Sequence, residues 1–311
     1  MHDFFVDRLV HAGSLEGLLR RVSAKAAEGG GGIHGVRQSE VRGGNAVNLA
    51  HALAVLGLRV LLLTHTDPGN EALLRRTFDG LDVDLKVKPL KAGLTVALEG
   101  RTNVMLGDAG GAAAFGPDML SRGDWDALRA SKVVCSVNWA ANRHGTELLK
   151  ALRRKLGRSA TIFVDPADFR DRAAEFGKLL GLIAKDHIVD WLSMNEREGV
   201  AAAELLQLNP RNLRETCRGV ARELGIAFDL HTGSRAYSSG GDSVTVVPVA
   251  RTRPRRLTGA GDVWDAAAIY GRMKGMAEVD RLNFANTAAR LYIEGETQDP
   301  PSLEYVLSSL R

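Results

Sequence analysis

Between Lys132 and Met194 lie three short runs with almost no polar alternation: Lys132-Val-Val-Cys-Ser-Val137, Ala160-Thr-Ile-Phe-Val164 and Ile188-Val-Asp-Trp-Leu-Ser-Met194. A strand with one wet face alternates polar and apolar residues, whereas a run without alternation is buried on both faces, the mark of parallel strands covered by helices. Segments of helical spacing begin between these runs, near Gly145 and Asp171. Moving outward, the rhythm continues: Ile226 to Leu230 and Val60 to Leu63 read as further strands, Phe4 to Val10 as the first, and helices begin near Glu196 and Arg211. Asn45 to Leu56 places Leu49, Leu53 and Leu56 on one helical face and stops at Gly57. Such alternation gives right-handed βαβ crossovers, and so a three-layer α/β/α core around a mainly parallel central sheet.

Two segments break the rhythm: residues 23–44, containing Gly29 to Gly32, and residues 82–117, with strand-like pieces at Thr95 to Glu99 and Asn103 to Leu106. Long excursions from a compact unit are more often lids or binding loops than idle connections. We read them as a small β lid on a single domain spanning residues 1–311.

The 311 residues are 45% hydrophobic and 25% charged, an ordinary globular balance that excludes disorder and collagen. Lys and Arg exceed Asp and Glu by 41 − 37 = 4, which favours anionic ligands without requiring nucleic acid. No apolar stretch approaches the ~20 residues a membrane span needs. The N-terminus carries acidic residues where a secretory signal would be basic, so a cytoplasmic location is expected. Cys135 and Cys217 sit in no CxxC pair or metal-ligand spacing and read as small core residues.

Four motifs carry candidate chemistry. Thr258-Gly259-Ala260-Gly261-Asp262, followed by Val263, Ala266, Ala267, Tyr270 and Met273, is a glycine-rich helix start. Backbone N–H groups there admit an anion closely, and the helix dipole favours it. Asp262, in the first turn, is placed to take a proton from an attacking hydroxyl, or simply to complement the dipole. Asn195-Glu196-Arg197-Glu198 follows a strand; it fits a capping box, and equally a pair holding Mg²⁺ through water at the carboxyl edge of the sheet. Gly43-Gly44-Asn45-Ala46-Val47-Asn48 is a glycine turn opening a helix. With Asp7 in the first strand, Asn48 would suit a polyhydroxylated ligand, since each hydroxyl both donates and accepts. Gly30, Gly32 and Gly35 satisfy GxGxxG but follow a helix-like stretch rather than a strand, which argues against a dinucleotide site.

The order of these motifs resembles the ribokinase-like, PfkB family of carbohydrate kinases, and His231-Thr232-Gly233-Ser234-Arg235-Ala236 is similar to that family's nucleotide loop. The resemblance implies an ATP-dependent, Mg²⁺-assisted kinase acting on a hydroxyl, with a primary CH₂OH expected, of a sugar or related polyol. A nucleoside kinase or a non-catalytic sugar or nucleotide sensor are the alternatives. It implies Asp262 as catalytic base and Gly259, Ala260 and Gly261 as anion hole. Asp7, Gly43, Gly44 and Asn48 would contact substrate hydroxyls; Thr232, Gly233 and Thr258, with Gly259 and Gly261, the nucleotide; Asn195 and Glu198 the metal. No nucleic acid or membrane partner is implied, and a homodimer through the lid is compatible with it.

The departures matter too. Where the family often has Asp-Thr before TGAGD, this chain has Arg256-Leu257, removing a carboxylate and hydroxyl associated with a monovalent-cation site; Arg256 reads either as solvated or as fixed positive charge, and potassium activation is not expected. Asp165-Pro166-Ala167 stands where Asp-Pro-Asn is frequent. Arg143, His144 and Arg170 lie near strand ends, where they would meet solvent or an anionic group on the substrate.

Overall fold

The computed structural model describes residues 2–99 and 103–310. Its strands, in chain order, are β1 (Phe5–His11), β2 (Arg37–Gly43), β3 (Val60–Thr66), β4 (Val83–Pro89), β5 (Gly93–Glu99), β6 (Asn103–Asp108), β7 (Val133–Val137), β8 (Thr161–Asp165), β9 (Trp191–Asn195), β10 (Ala227–His231), β11 (Arg235–Ser239) and β12 (Val244–Pro248). The helices are α1 (Leu15–Ala27), α2 (Asn45–Val55), α3 (Pro68–Thr77), α4 (Arg122–Arg129), α5 (Gly145–Leu156), α6 (Ala173–Asp186), α7 (Glu196–Leu205), α8 (Leu213–Leu224), α9 (Ala260–Met273), α10 (Glu278–Glu294) and α11 (Leu303–Ser308).

The apolar runs become the parallel strands β7, β8, β9 and β10, extended by the antiparallel hairpins β10–β11–β12 into a six-stranded sheet. One face is covered by α5, α6 and α8 through Leu148, Phe176, Leu179 and Val220; the other by α2, α9 and α10 through Leu49, Ala267, Ile269 and Phe284. Helices on both faces of a largely parallel sheet give the three-layer architecture expected from the alternation.

Two strands lie elsewhere than that alternation suggests. β3 pairs in parallel with β4 as a separate two-stranded sheet, with a cavity of about 510 Å³ between it and β7. β1 belongs to a four-stranded sheet, β2-β1-β5-β6, antiparallel to β2 and parallel to β5. The amide of His2 still bonds Leu63 O at 3.1 Å, so the chain passes the edge of β3 before entering the second sheet. A single apolar run contains no mark of that crossing.

Of the segments read as a lid, residues 23–44 supply the end of α1 and all of β2, and residues 82–117 supply β5 and β6; β4 instead pairs with β3. Period-2 alternation divides this sheet. Phe5, Asp7, Thr95, Met105 and Gly107 line a cavity of about 860 Å³, while Leu94, Val104 and Leu106 are exposed. Helix α1 directly precedes the GxGxxG glycines, the context that argues against a dinucleotide turn. Among the described residues, no helix is long and apolar enough to cross a membrane, and Cys217 is a buried free thiol.

Candidate active site

Helix α2 starts at Gly44, whose φ of 99° is in the left-handed region open to glycine. Its first amides need acceptors, and Asp3, fully buried, provides them: its carboxylate accepts from Asn45 N at 3.0 Å and Ala46 N at 2.7 Å, and from Asn138 Nδ2 at 2.7 Å. Sequence reasoning passed over Asp3, because a carboxylate capping a helix more than forty residues later has no local signal. Gly43 makes room for Asp7; a Cβ there would lie 2.0 Å from its Oδ2. Burial pushes Asp7 up to about 6, opposed by a hydrogen bond from Thr95, its β5 neighbour in register.

Asn48 lies one turn into α2. It donates from Nδ2 to Asp262 Oδ2 at 2.8 Å and accepts from Arg42 Nη1 at 2.7 Å on Oδ1. Arg42 also donates to His51 Nδ1; burial, and then Arg42 itself, hold that imidazole down at about 4, so it is neutral and can accept. The chain Arg42, Asn48, Asp262 therefore joins the glycine turn at residue 43 to the helix start near 260.

At that start Gly259 caps α9 with φ 84°, and a Cβ on it would meet the Tyr292 hydroxyl at 2.6 Å; both facts demand glycine. Asp262 follows in the first turn, 7% exposed. Burial, then Asp165, push its carboxyl well above the ordinary range, with the Asn48 amide opposing. Thr258 donates to Glu99 Oε1 and accepts from Asn103 Nδ2 at 3.2 Å, which ties the β5 and β6 ends to the turn before α9. Neither lid residue carries a motif, and sequence reasoning missed both.

Beneath Asp262 lie two further acids. Asp265, one turn on, accepts from Ser193 Oγ at 2.6 Å. Asp165, at the end of β8, interacts with Asp265, and burial raises both carboxyls, Asp165 to about 6. The Asp165 Oδ1 also accepts from the amide of Ala167, which sits at φ 55° where an Asn would be at ease.

Asn195 and Glu198 form a reciprocal capping box on α7: Asn195 Oδ1 accepts from the Arg197 and Glu198 amides at 3.0 and 3.1 Å, and Glu198 Oε2 from the Asn195 amide at 3.0 Å. That is the structural alternative raised by the sequence. Glu198 is nonetheless pushed up to about 8, by burial and then Asp165, so its carboxyl lacks a positive partner that an arriving cation would supply. Among the described residues no three His, Cys, Asp or Glu side chains are arranged to hold a metal ion directly. The Glu198 carboxylate and the Asn195 carboxamide are oxygen donors of the type Mg²⁺ takes, directly or through water.

Thr232 organises the β10–β11 turn: its Oγ1 accepts from Ser234 N at 3.0 Å and Arg235 N at 2.9 Å. Gly233 is exposed and free of close contacts. His231, before them, packs on Trp264 with ring centroids 4.9 Å apart and faces Gly261 of the helix start. The 860 Å³ cavity is lined by Asp7, Gly44, Asn48, Thr258, Gly259 and Asp262, together with Arg143. Arg170 pairs with Asp168 at 2.5 Å, and Arg172 donates to the carbonyls of Trp139, Ala140 and Asn142. The Arg143 side chain has no such partner among the described residues, although its amide is pinned to Ala113 O at 3.1 Å.

The sequence matches the family described as pfkB family carbohydrate kinase over residues 7–302. A 5-dehydro-2-deoxygluconokinase of Clostridium beijerinckii is 28% identical over 81 residues, 25% of this chain and 24% of that protein, so the match spans about a quarter of that relative's length. Among solved structures, a probable sugar kinase from Rhizobium etli CFN 42 superposes with a TM-score of 0.79 at 18% identity, covering 98% of this chain and 96% of that one. An Arabidopsis thaliana ribokinase complexed with ribose and ATP gives 0.75 at 18% identity, covering 100% and 97%. At such identities these structures share the fold.

Proposed function

The chain belongs to the pfkB family of carbohydrate kinases, phosphotransferases with an alcohol group as acceptor, and on that premise we propose that it transfers the γ-phosphoryl group of ATP to a primary hydroxyl of a sugar or related polyol. The observation that carries this reading is the Asn48–Asp262 hydrogen bond: it joins the carboxylate of a helix start suited to phosphate with the wall of the cavity that Asp7 also lines.

In this reading, Asp7 and Asn48 orient the acceptor. Asp262 takes the proton of the attacking hydroxyl, and its burial raises its affinity for that proton. The amides of Gly259, Ala260 and Gly261 bind the charge that develops on the transferring phosphoryl oxygens. Thr232, Gly233 and Thr258 border the nucleotide. Asn195 and Glu198 would hold Mg²⁺, which would supply positive charge to the phosphates. The lid, tied to Thr258 by Glu99 and Asn103, excludes water, which would otherwise compete as acceptor.

A nucleoside acceptor needs an aromatic platform for its base. Of the three aromatics near the lid, Phe4 and Phe115 are fully buried in the core and Phe5 alone lines the cavity, which favours a sugar. The unpaired Arg143 favours a sugar bearing an acidic group over a neutral one. The exposed Leu94, Val104 and Leu106 support a homodimer through the lid.

Sugars, sugar acids, polyols and nucleosides should be screened for acceptor-dependent ADP formation, with Asp262→Asn as the control. We expect one sugar-like class to turn over and the variant to lose about 10²- to 10⁴-fold in kcat with its thermal midpoint intact. Equal rates in the two proteins would refute the base assignment.

A further inference from the structure

Of the four arginines in the loop before α9, Arg251, Arg253 and Arg255 are exposed and Arg256 is half-buried. Its guanidinium lies at the C-terminal end of α10, where a helix leaves carbonyls without intrahelical partners. Arg256 Nη2 donates to Tyr292 O at 3.3 Å and Gly295 O at 3.1 Å, and the group lies over the Tyr292 ring, 4.8 Å from its centre. The neighbouring amide of Arg255 takes Ile293 O at 2.8 Å. The same Tyr292 backs Gly259 from the other side, leaving no room for a Cβ. Arg256 thus reaches the first residue of the helix start twice, along the chain through Leu257 and Thr258, and across space through Tyr292.

A monovalent cation is bound by main-chain carbonyls together with carboxylate or hydroxyl oxygens. Arg256 and Leu257 offer neither oxygen in their side chains, and the carbonyls of Tyr292 and Gly295 already accept from the Arg256 guanidinium. The residues do not fit such an ion. Building on the kinase reading above, we propose that the Arg256 guanidinium is a tethered cation: it holds the 256–259 turn against α10, keeps the Gly259 amide aimed at the nucleotide phosphates, and makes the enzyme independent of potassium. Arg256 is a positioning residue, acting through the backbone it anchors rather than by touching substrate.

The test compares turnover, and calorimetric ATP affinity, in buffers whose monovalent cation is tetramethylammonium, potassium or sodium at about 100 mM. Wild type should agree within about twofold across the three. Arg256→Ala, shown folded by circular dichroism and thermal melting, should lose about 10- to 100-fold in kcat. Guanidinium at about 10 mM should restore at least about fivefold of that loss, because it can take the two vacated carbonyls, whereas potassium, finding no carboxylate or hydroxyl oxygen there, should restore less than about twofold. Arg256→Lys, with one compact ammonium for two carbonyls, should fall between. Stimulation of wild type by potassium beyond about fivefold overturns the proposal. So does a folded Arg256→Ala with wild-type kcat, or a loss that guanidinium does not relieve, which would mark a plain helix-end strut. Should Arg256→Ala not fold, the wild-type salt comparison decides alone. The affinity measurement keeps the two readings apart, since salt-independent ATP binding is readable even if every acceptor fails.

Discussion

Asp229 on β10 and Asp262 on α9 are both buried carboxylates, but their surroundings are opposite. Asp229 faces the fork of Arg281 at 2.7 and 2.9 Å and the indole N–H of Trp191 at 3.1 Å, and Arg281 is further held by Glu278 and Ser238. Burial alone would lower Arg281, yet Asp229 and Glu278 raise it, so the cation stays charged. Asp262 has the neutral amides of Asn48 and Asn45 and three acids, Asp165, Asp3 and Asp265, about it, with Arg42 reaching it through Asn48 instead of pairing with it directly. The first cluster balances its charge internally and has nothing to bind. The second carries more buried acid than paired cation, so its carboxyls are pushed toward the protonated form.

Breaking the balanced cluster should affect the fold and not the chemistry. Arg281→Ala strands a buried carboxylate, and we expect a loss of about 3–5 kcal/mol in urea unfolding, with kcat per folded molecule unchanged. A loss under about 1 kcal/mol would mean that the pair is not the strut its geometry indicates.

The acid-rich cluster should reveal itself through pH. Glu198 (ordinarily 4.5) sits at about 8, and Asp7 and Asp165 (ordinarily 3.8) at about 6. All three are raised, so the folded state keeps protons that the unfolded chain has released. Their contribution to stability is full below the unfolded values and is lost as pH rises through 6 and 8. Without Mg²⁺ the melting temperature should fall between about pH 5 and pH 8.5, and Glu198→Gln should flatten the upper part of that fall. A flat wild-type profile would contradict the reading of these acids as protonated.

The smallest effect concerns the cation left unpaired in the cavity. Arg143→Ala should raise KM for an acidic acceptor about tenfold and for its neutral analogue less than about twofold. Equal shifts for both would return Arg143 to solvent.

The α/β layering was legible because strands buried on both faces leave unbroken apolar runs, and β7, β8, β9 and β10 fall on those runs to within a few residues. The α9 start was legible because a helix that opens on glycines and an acid is written locally. What escaped was set by distance along the chain. Arg281 and Asp229 are 52 residues apart, and Glu99 and Thr258 are 159; neither pair has a pattern that singles it out. The sheet containing β1 was misplaced for a related reason: register against Gly93–Glu99 depends on a partner that the run Phe5–His11 does not specify.

The central claim is that the helix start at residues 258–262 receives the terminal phosphoryl group beside Asp262. The direct measurement is a crystal structure with a non-hydrolysable ATP analogue and Mg²⁺. The γ-phosphate oxygens should lie within hydrogen-bond reach of the Gly259, Ala260 and Gly261 amides. Phosphates bound elsewhere, with those amides still facing solvent, would contradict it.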